Sequence, residues 1–137
     1  MVNRKVVEEW LDKVDEDFRF ASTNLEEKNS FHTQICFHFQ QAAEKYIKAY
    51  IIAFELESKK THDLIQLINL CNTNDTSFKV LREYCEYLNG FYIETRYPVH
   101  WPTHYTKETA QKAQEASMYI GNFVKDKLKQ STIGDDA

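Results

Sequence analysis

The chain has few residues that interrupt regular structure, with only 3 glycines and 2 prolines among its 137 residues. A β-sandwich or a β-barrel needs a turn every few residues, so this scarcity disfavours both folds. The glycines, Gly90, Gly121 and Gly134, lie far apart, which excludes a glycine-rich phosphate-binding loop. The sequence therefore favours long elements joined by few turns.

Long apolar runs, paired cysteines and an excess of positive charge are also missing. The longest unbroken apolar run is 49–54, far short of the roughly 18 residues that a membrane span needs. The 3 cysteines contain no CxxC pair, so neither a disulfide framework nor a zinc site is expected, and free thiols favour the cytoplasm. A net charge of −4 argues against indiscriminate binding of duplex nucleic acid, so any grip on nucleic acid must come from a local patch.

What the sequence does contain is helical periodicity. Apolar residues recur at spacings of three and four in four long stretches, which predicts helices over about 3–28, from Ser30 as N-cap to about 56, over about 77–95, and from Thr106 as N-cap onwards. A short helix capped by Thr61 is predicted between the second and third of these. Residues 1–130 are therefore predicted to form one all-α domain, an up-and-down four-helix bundle with one additional short helix, and 131–137 a disordered tail.

The second long helix is apolar on more than one side. Phe37, Glu44 and Ile51 lie opposite its main apolar stripe. Two interpretations stay open: a central helix that is covered by its neighbours, or a self-association surface. In the second interpretation the surface contains a polar strip made of Gln40, Gln41, Glu44 and Lys48. Glu44 and Lys48 also have the spacing of an ordinary helix ion pair.

The segment from Arg96 to Tyr105 combines one arginine, two histidines and three aromatic residues with two prolines. Arg96 continues the apolar stripe of the third long helix, and residues 97–105 are predicted to be a loop after it. An arginine presents a planar fork to a phosphate, a histidine moves protons near neutral pH, and aromatic rings stack on bases. The candidate catalytic residues are therefore Arg96, His100 and His104. Structural roles stay open, since such an arginine can cap a helix end and such rings can close a bundle.

Metal binding by the two loop histidines is disfavoured. Pro102 lies between His100 and His104 and disrupts helical spacing, and no third ligand is evident. We expect no metal and no cofactor. His62 is interpreted as a residue at the start of the short helix.

Several motifs stand in a fixed order along the chain: Trp10 and Asp17 in the first helix, Cys-Phe-His-Phe-Gln-Gln-Ala-Ala-Glu-Lys-Tyr-Ile-Lys-Ala at 36–49, Lys-Thr-His-Asp-Leu at 60–64, Arg-Tyr-Pro at 96–98, and an alanine-rich last helix. Together these motifs resemble the HEPN domain family (higher eukaryotes and prokaryotes nucleotide-binding). The resemblance covers about residues 5–128. The chain looks closest to the Arg-Tyr-Pro branch of that family.

This resemblance implies a homodimeric helical bundle, often encoded beside a minimal nucleotidyltransferase in a two-gene system of the toxin–antitoxin kind. Our first hypothesis is a nucleotide- or RNA-binding partner of such an enzyme. The residues expected to bind the nucleotide or RNA are Arg96, Tyr97, Trp101, Tyr105, Gln41, Glu44, Lys48 and Asp17.

The second hypothesis is a metal-independent ribonuclease toxin that uses Arg96 with His100 or His104. Nuclease members of the family carry an arginine and a histidine separated by four to six residues. Here three residues separate Arg96 from His100, and seven separate it from His104. A third hypothesis is a dimeric scaffold without a ligand.

Overall fold

The computed structural model describes residues 1–27, 30–58, 60–96 and 105–131, apart from the side chains of 93–96. Over this part of the chain the structure contains five α-helices, one 3-10 helix and no strand. The elements are α1 (Arg4–Glu26), α2 (His32–Ala53), α3 (Leu64–Asn72), a 3-10 helix (Thr76–Leu81), α4 (Arg82–Arg96) and α5 (Lys107–Gln130). The prediction of an all-α bundle with one short additional helix is confirmed.

Helix α2 lies at the centre of the bundle and packs against α1, α3, α4 and α5. Its main stripe, which includes Phe39 and Tyr46, is buried, and so is Ile51 on the opposite side. Of the two interpretations of this helix, the covered central helix is therefore correct for Ile51. The same chain buries Ile51, which cannot contribute to a self-association surface.

Of the three predicted N-cap residues, one caps its helix in the structure and two do not. Thr106 caps α5 as predicted, in a reciprocal arrangement with Thr109. Ser30 does not cap α2, because α2 begins at His32 and its N-cap residue, Phe31, makes no side-chain cap bond. Thr61 does not cap α3 either: the carboxylate of Asp63 accepts the backbone N–H of Ile65. Asp63 lies closer to the free N–H groups of the first turn, so its side chain takes that place.

Helix α2 ends at Ala53, three residues earlier than the predicted 56. Glu55 adopts the left-handed conformation with φ of 53°. The backbone N–H of Leu56 donates to the carbonyl of Ile51 at 3.0 Å, and that of Glu55 donates to the carbonyl of Ile52 at 3.1 Å. These two bonds form the Schellman motif, which stops a helix by turning the chain back on its last carbonyls.

The predicted third long helix starts as a 3-10 turn rather than as an α-helix. Asp75 caps this turn by accepting the N–H of Ser77 at 2.9 Å. The turn buries Phe78 and Leu81, so the apolar residues were assigned to the core correctly although the local hydrogen bonding differs. Of the predicted disordered tail at 131–137, Ser131 is the C-cap residue of α5 and its hydroxyl donates to the carbonyl of Leu128, and 132–137 lie outside the described residues. Among the described helices, none is long and apolar enough to cross a membrane.

All three thiols are buried in the core. Burial raises the pKa of Cys36 and of Cys85 to about 12, and it also raises the pKa of Cys71, to which the neighbouring Cys85 adds. Because the thiolate is the reactive form, these side chains are packing residues rather than nucleophiles.

We therefore expect the folded protein at pH 8 to react with a thiol reagent far more slowly than glutathione does, and to expose all three thiols in denaturant. Reagent uptake measured by absorbance checks this. An Asn122→Cys variant, which places a thiol on the exposed face of α5, is the matched control and should react at once. Rapid uptake by the unmodified folded chain would contradict the burial of these groups.

Candidate functional site

A row of five rings crosses the surface of α1, α2 and α4 and reaches the segment before α3. Each ring lies against the next, with centroids 5.2 Å apart for Phe20 and His38, 5.9 Å for His38 and Phe37, 6.2 Å for Phe37 and Tyr92, and 4.6 Å for Tyr92 and His62. Phe20 is 56% exposed at one end of this row. The Phe37–Tyr92 and Tyr92–His62 contacts are stacked and the other two are edge-on, and bases stack on aromatic rings of this kind.

A buried carboxylate lies beside this row. Glu44 is only 4% exposed, and its oxygens accept from Lys48 Nζ at 2.9 Å and lie 3.1 Å from Nδ1 of His62. The predicted Glu44–Lys48 ion pair is thus confirmed. A buried charge is costly unless it is paired and hydrogen-bonded. Both partners of Glu44 are accessible to solvent: the side chain of Lys48 is 27% exposed and that of His62 is 51% exposed. We call Phe37, Glu44, Lys48, His62 and Tyr92 the α2–α4 cluster.

The backbone next to His62 is held on both sides. Thr61 Oγ1 accepts the N–H of Asp63 at 3.1 Å. Asn89 on α4 accepts the N–H of Leu64 through Oδ1 at 2.8 Å and donates through Nδ2 to the carboxylate of Asp63 at 2.7 Å. This network ties the start of α3 to α4, so the imidazole of His62 projects from a fixed segment.

The arginine-centred half of the predicted site lies mostly outside the described residues. Tyr97, His100, Trp101 and His104 belong to that segment, and the structure describes Arg96 only through its backbone. That backbone forms the last residue of α4, one helical turn after Tyr92. Residues four apart on a helix are neighbours on the same face, so the backbone position of Arg96 is one turn beyond Tyr92 on the same face of α4.

The other predicted binding residues fall into different surroundings. Asp17 pairs with Lys45 Nζ at 2.5 Å, and Trp10 donates from Nε1 to the carbonyl of Lys45 at 2.9 Å, so these two motif residues join α1 to α2. Burial lowers the pKa of the neighbouring His38, while the charge of Asp17 acts in the opposite direction. Tyr105 packs its ring against Phe91 with centroids 5.3 Å apart.

Two parts of the predicted polar strip on α2 need correction. Gln40 is fully buried, and its amide nitrogen has no acceptor within the described ranges, although its oxygen accepts from Gln41 at 2.7 Å. Glu44 is buried as well. Neither is therefore an exposed contact residue, and any influence of Glu44 on a ligand must pass through Lys48 or His62.

The sequence interpretation missed His62 and Tyr92 as members of one site. The signal for His62 was present, since it stands inside the motif at 60–64 that contributed to the family resemblance. Its pairing with Glu44 joins residues 18 apart in the chain, a separation that helical periodicity cannot reveal.

A second surface feature, a groove of about 520 Å³, lies between α1 and α5. The hydroxyl of Tyr46 donates to Asp15 at 2.5 Å, and Lys125 Nζ lies 2.7 Å from the same carboxylate oxygen. Asp12, Glu16 and Arg19 also line this groove. Its mixed charge gives no patch for a polyanion, and the Asp15 network joins α1, α2 and α5.

Comparisons with known proteins agree with this architecture. The family model described as the HEPN domain matches residues 7–127. The crystal structure of ST0689, an archaeal HEPN homologue, is similar with a TM-score of 0.69 and 23% sequence identity, over 93% of this chain and 98% of that one. No curated protein shows significant sequence similarity to the chain. Since the family model covers nearly the whole bundle, the chain belongs to the HEPN domain family.

Proposed function

We propose that this HEPN protein is a homodimer that binds a nucleotide or RNA at the α2–α4 cluster beside Arg96. The observation that carries the proposal is the meeting of stacked rings, a histidine and a lysine at the face of α4 that ends in Arg96. Phosphate binding needs a cation with a directed fork, and base binding needs a flat apolar face. Arg96 would supply the cation for the phosphate, and Phe37 and Tyr92 would supply the apolar face for the base.

Binding is tested by fluorescence polarisation with a labelled single-stranded RNA and with a labelled ATP analogue. We expect Arg96→Ala to weaken binding about tenfold or more, because hydrogen bonds to charged groups contribute roughly 1.5–3 kcal/mol. Arg82→Ala is the matched control: Arg82 lies at the other end of α4, and its pairing with Glu86 is exposed. Equal affinity of the Arg96→Ala and Arg82→Ala variants would contradict the proposal. If the unmodified dimer binds neither ligand, the scaffold hypothesis replaces it.

The proposal of a homodimer is supported by apolar side chains that remain exposed within the described part of one chain. Phe20, Phe31 and Met118 are 56%, 60% and 45% exposed, and a dimer interface that covered them would remove their apolar surface from water. Light scattering at micromolar concentration should give twice the mass of the chain. A monomeric mass would contradict this part of the proposal.

The proposed partner is a minimal nucleotidyltransferase, and the family resemblance is its support. We expect the gene for such an enzyme to lie next to the gene for this protein, and the two proteins to co-purify when expressed together. An isolated gene and separate elution of the two proteins would argue against the partnership.

A metal-independent ribonuclease is the second candidate, because two histidines follow Arg96 within eight residues. In such a reaction the histidine would move the proton and the arginine would steady the charge on the phosphate. The test is incubation with RNA in EDTA beside the Arg96→Ala variant. If both proteins leave the same amount of intact RNA, this candidate is wrong.

A further inference from the structure

We propose that His62 recognises the ribose of the bound ligand by accepting a hydrogen bond from its 2′-hydroxyl at Nε2, and that Glu44 and Tyr92 are its positioning residues. The inference deepens the function proposed above and rests on it. It names one specificity-determining side chain and the class of ligand that side chain selects, namely ribonucleotides over deoxyribonucleotides.

The hydrogen bond to Glu44 determines which nitrogen of His62 faces outward. Nδ1 lies 3.1 Å from both oxygens of Glu44. A carboxylate only accepts hydrogen bonds, so Nδ1 carries the hydrogen, and in the neutral ring Nε2 is then an acceptor. An acceptor at this position needs a donor from the ligand. Sugar hydroxyls and base N–H groups can donate, whereas an ionised phosphate oxygen cannot, and the 2′-hydroxyl is the donor that ribose has and deoxyribose lacks.

The ring of Tyr92 sets the plane of the imidazole. The two rings stack with centroids 4.6 Å apart and planes inclined by 19°. One face of His62 is thus covered by Tyr92, while half of the side chain remains exposed. With one nitrogen bonded, one face covered and the backbone fixed through Asp63 and Asn89, the imidazole has one free hydrogen-bonding atom in a defined direction.

Glu44 does not need His62 merely to be neutralised. Lys48 already supplies the opposite charge at 2.9 Å. The contact between Glu44 and His62 is therefore not needed to neutralise the carboxylate. It orients the imidazole, as carboxylates do for histidines in other sites. Tyr92, which stacks on His62, is one helical turn before Arg96 in α4. In the function proposed above the phosphate binds at Arg96, and we therefore assign the sugar to His62.

The test compares each ligand with its deoxy counterpart. Polarisation is measured for a single-stranded RNA and the same sequence as DNA, and for ATP and dATP analogues, so that RNA and free nucleotide are distinguished as sources of the ribose. The variants are His62→Gln, His62→Phe, which retains a ring against Tyr92, and Arg96→Ala. His62 is on the surface, and circular dichroism checks that each variant folds.

We expect the unmodified protein to prefer the ribose form about tenfold, the worth of one such hydrogen bond. In both His62 variants this preference should disappear, because the affinity for the ribose form should fall by more than the affinity for the deoxy form. In Arg96→Ala the affinity for both forms should fall and the preference should remain. In histidine ring NMR spectra of the full chain, the Nε2 signal of His62 should shift on addition of RNA.

Two patterns separate failure of this inference from failure of the proposed function. If the protein binds ribose and deoxy forms equally, or if the His62 variants keep the preference, His62 is a structural residue and the inference is wrong, while the binding function stands. If the unmodified protein binds none of the four ligands, the proposed function is wrong and the inference is overturned with it.

Discussion

Replacing Gly121 by valine is expected to lower the free energy of unfolding by about 3 kcal/mol and the melting temperature by about 10 °C. Gly121 lies in the middle of α5 against the ring of Tyr46, where an added Cβ would come within 2.8 Å of Cε2. That ring cannot easily yield, because it is buried, its hydroxyl bonds Asp15, and Lys125 holds the same carboxylate. Thermal denaturation followed by circular dichroism measures the change.

The control for Gly121 must separate the clash from helix propensity. Asn122→Val places the same β-branched residue one position further on, at an exposed site of α5, and should cost only a few tenths of a kcal/mol. Tyr46→Leu removes the ring, and in that background the cost of Gly121→Val should shrink. If Gly121→Val unfolds at the temperature of the unmodified protein, the close approach of α5 to Tyr46 does not exist in solution.

Phe39→Ala is expected to cost about 3–5 kcal/mol, the usual range for removing a buried phenylalanine ring. Phe39 is fully buried in α2. Its ring packs against Phe18 of α1 at 5.4 Å, and its carbonyl accepts from Ser117 of α5 at 2.9 Å. The cavity would open where three helices meet, and a chain of this size has roughly 5–15 kcal/mol of total stability. Urea denaturation measures the loss.

The matched control is Phe20→Ala, which removes the same ring from an exposed position and should cost less than about 1 kcal/mol. Phe39 lies on the stripe of α2 opposite Glu44, so Phe39→Ala should leave nucleotide or RNA affinity unchanged at temperatures where the variant is folded. Equal losses of stability in the two variants would contradict the central position of Phe39.

The candidate site was predictable only in pieces. The polar character of Glu44 and Lys48 and their ion pair followed from a spacing of four on one helix. The burial of Glu44 did not, because it depends on which parts of the chain pack against that side of α2. The contact of His62 was not predictable either, because its partner Glu44 is in α2, 18 residues earlier in the chain. The spacing of apolar residues predicts which face of a helix a residue occupies, but it does not predict which other part of the chain packs against that face.

The sequence by itself determined the all-α class, the number of long helices and most of the core, because apolar residues at spacings of three and four can be buried together only on a helix. It also determined family membership, through motifs that stand in order along the chain. Only the tertiary structure decided that α2 is enclosed, that Asp63 rather than Thr61 caps α3, and that Glu44 holds His62 against Tyr92. The helix pattern depends on neighbours within a few residues, whereas these contacts depend on the relative placement of helices that are distant in the chain.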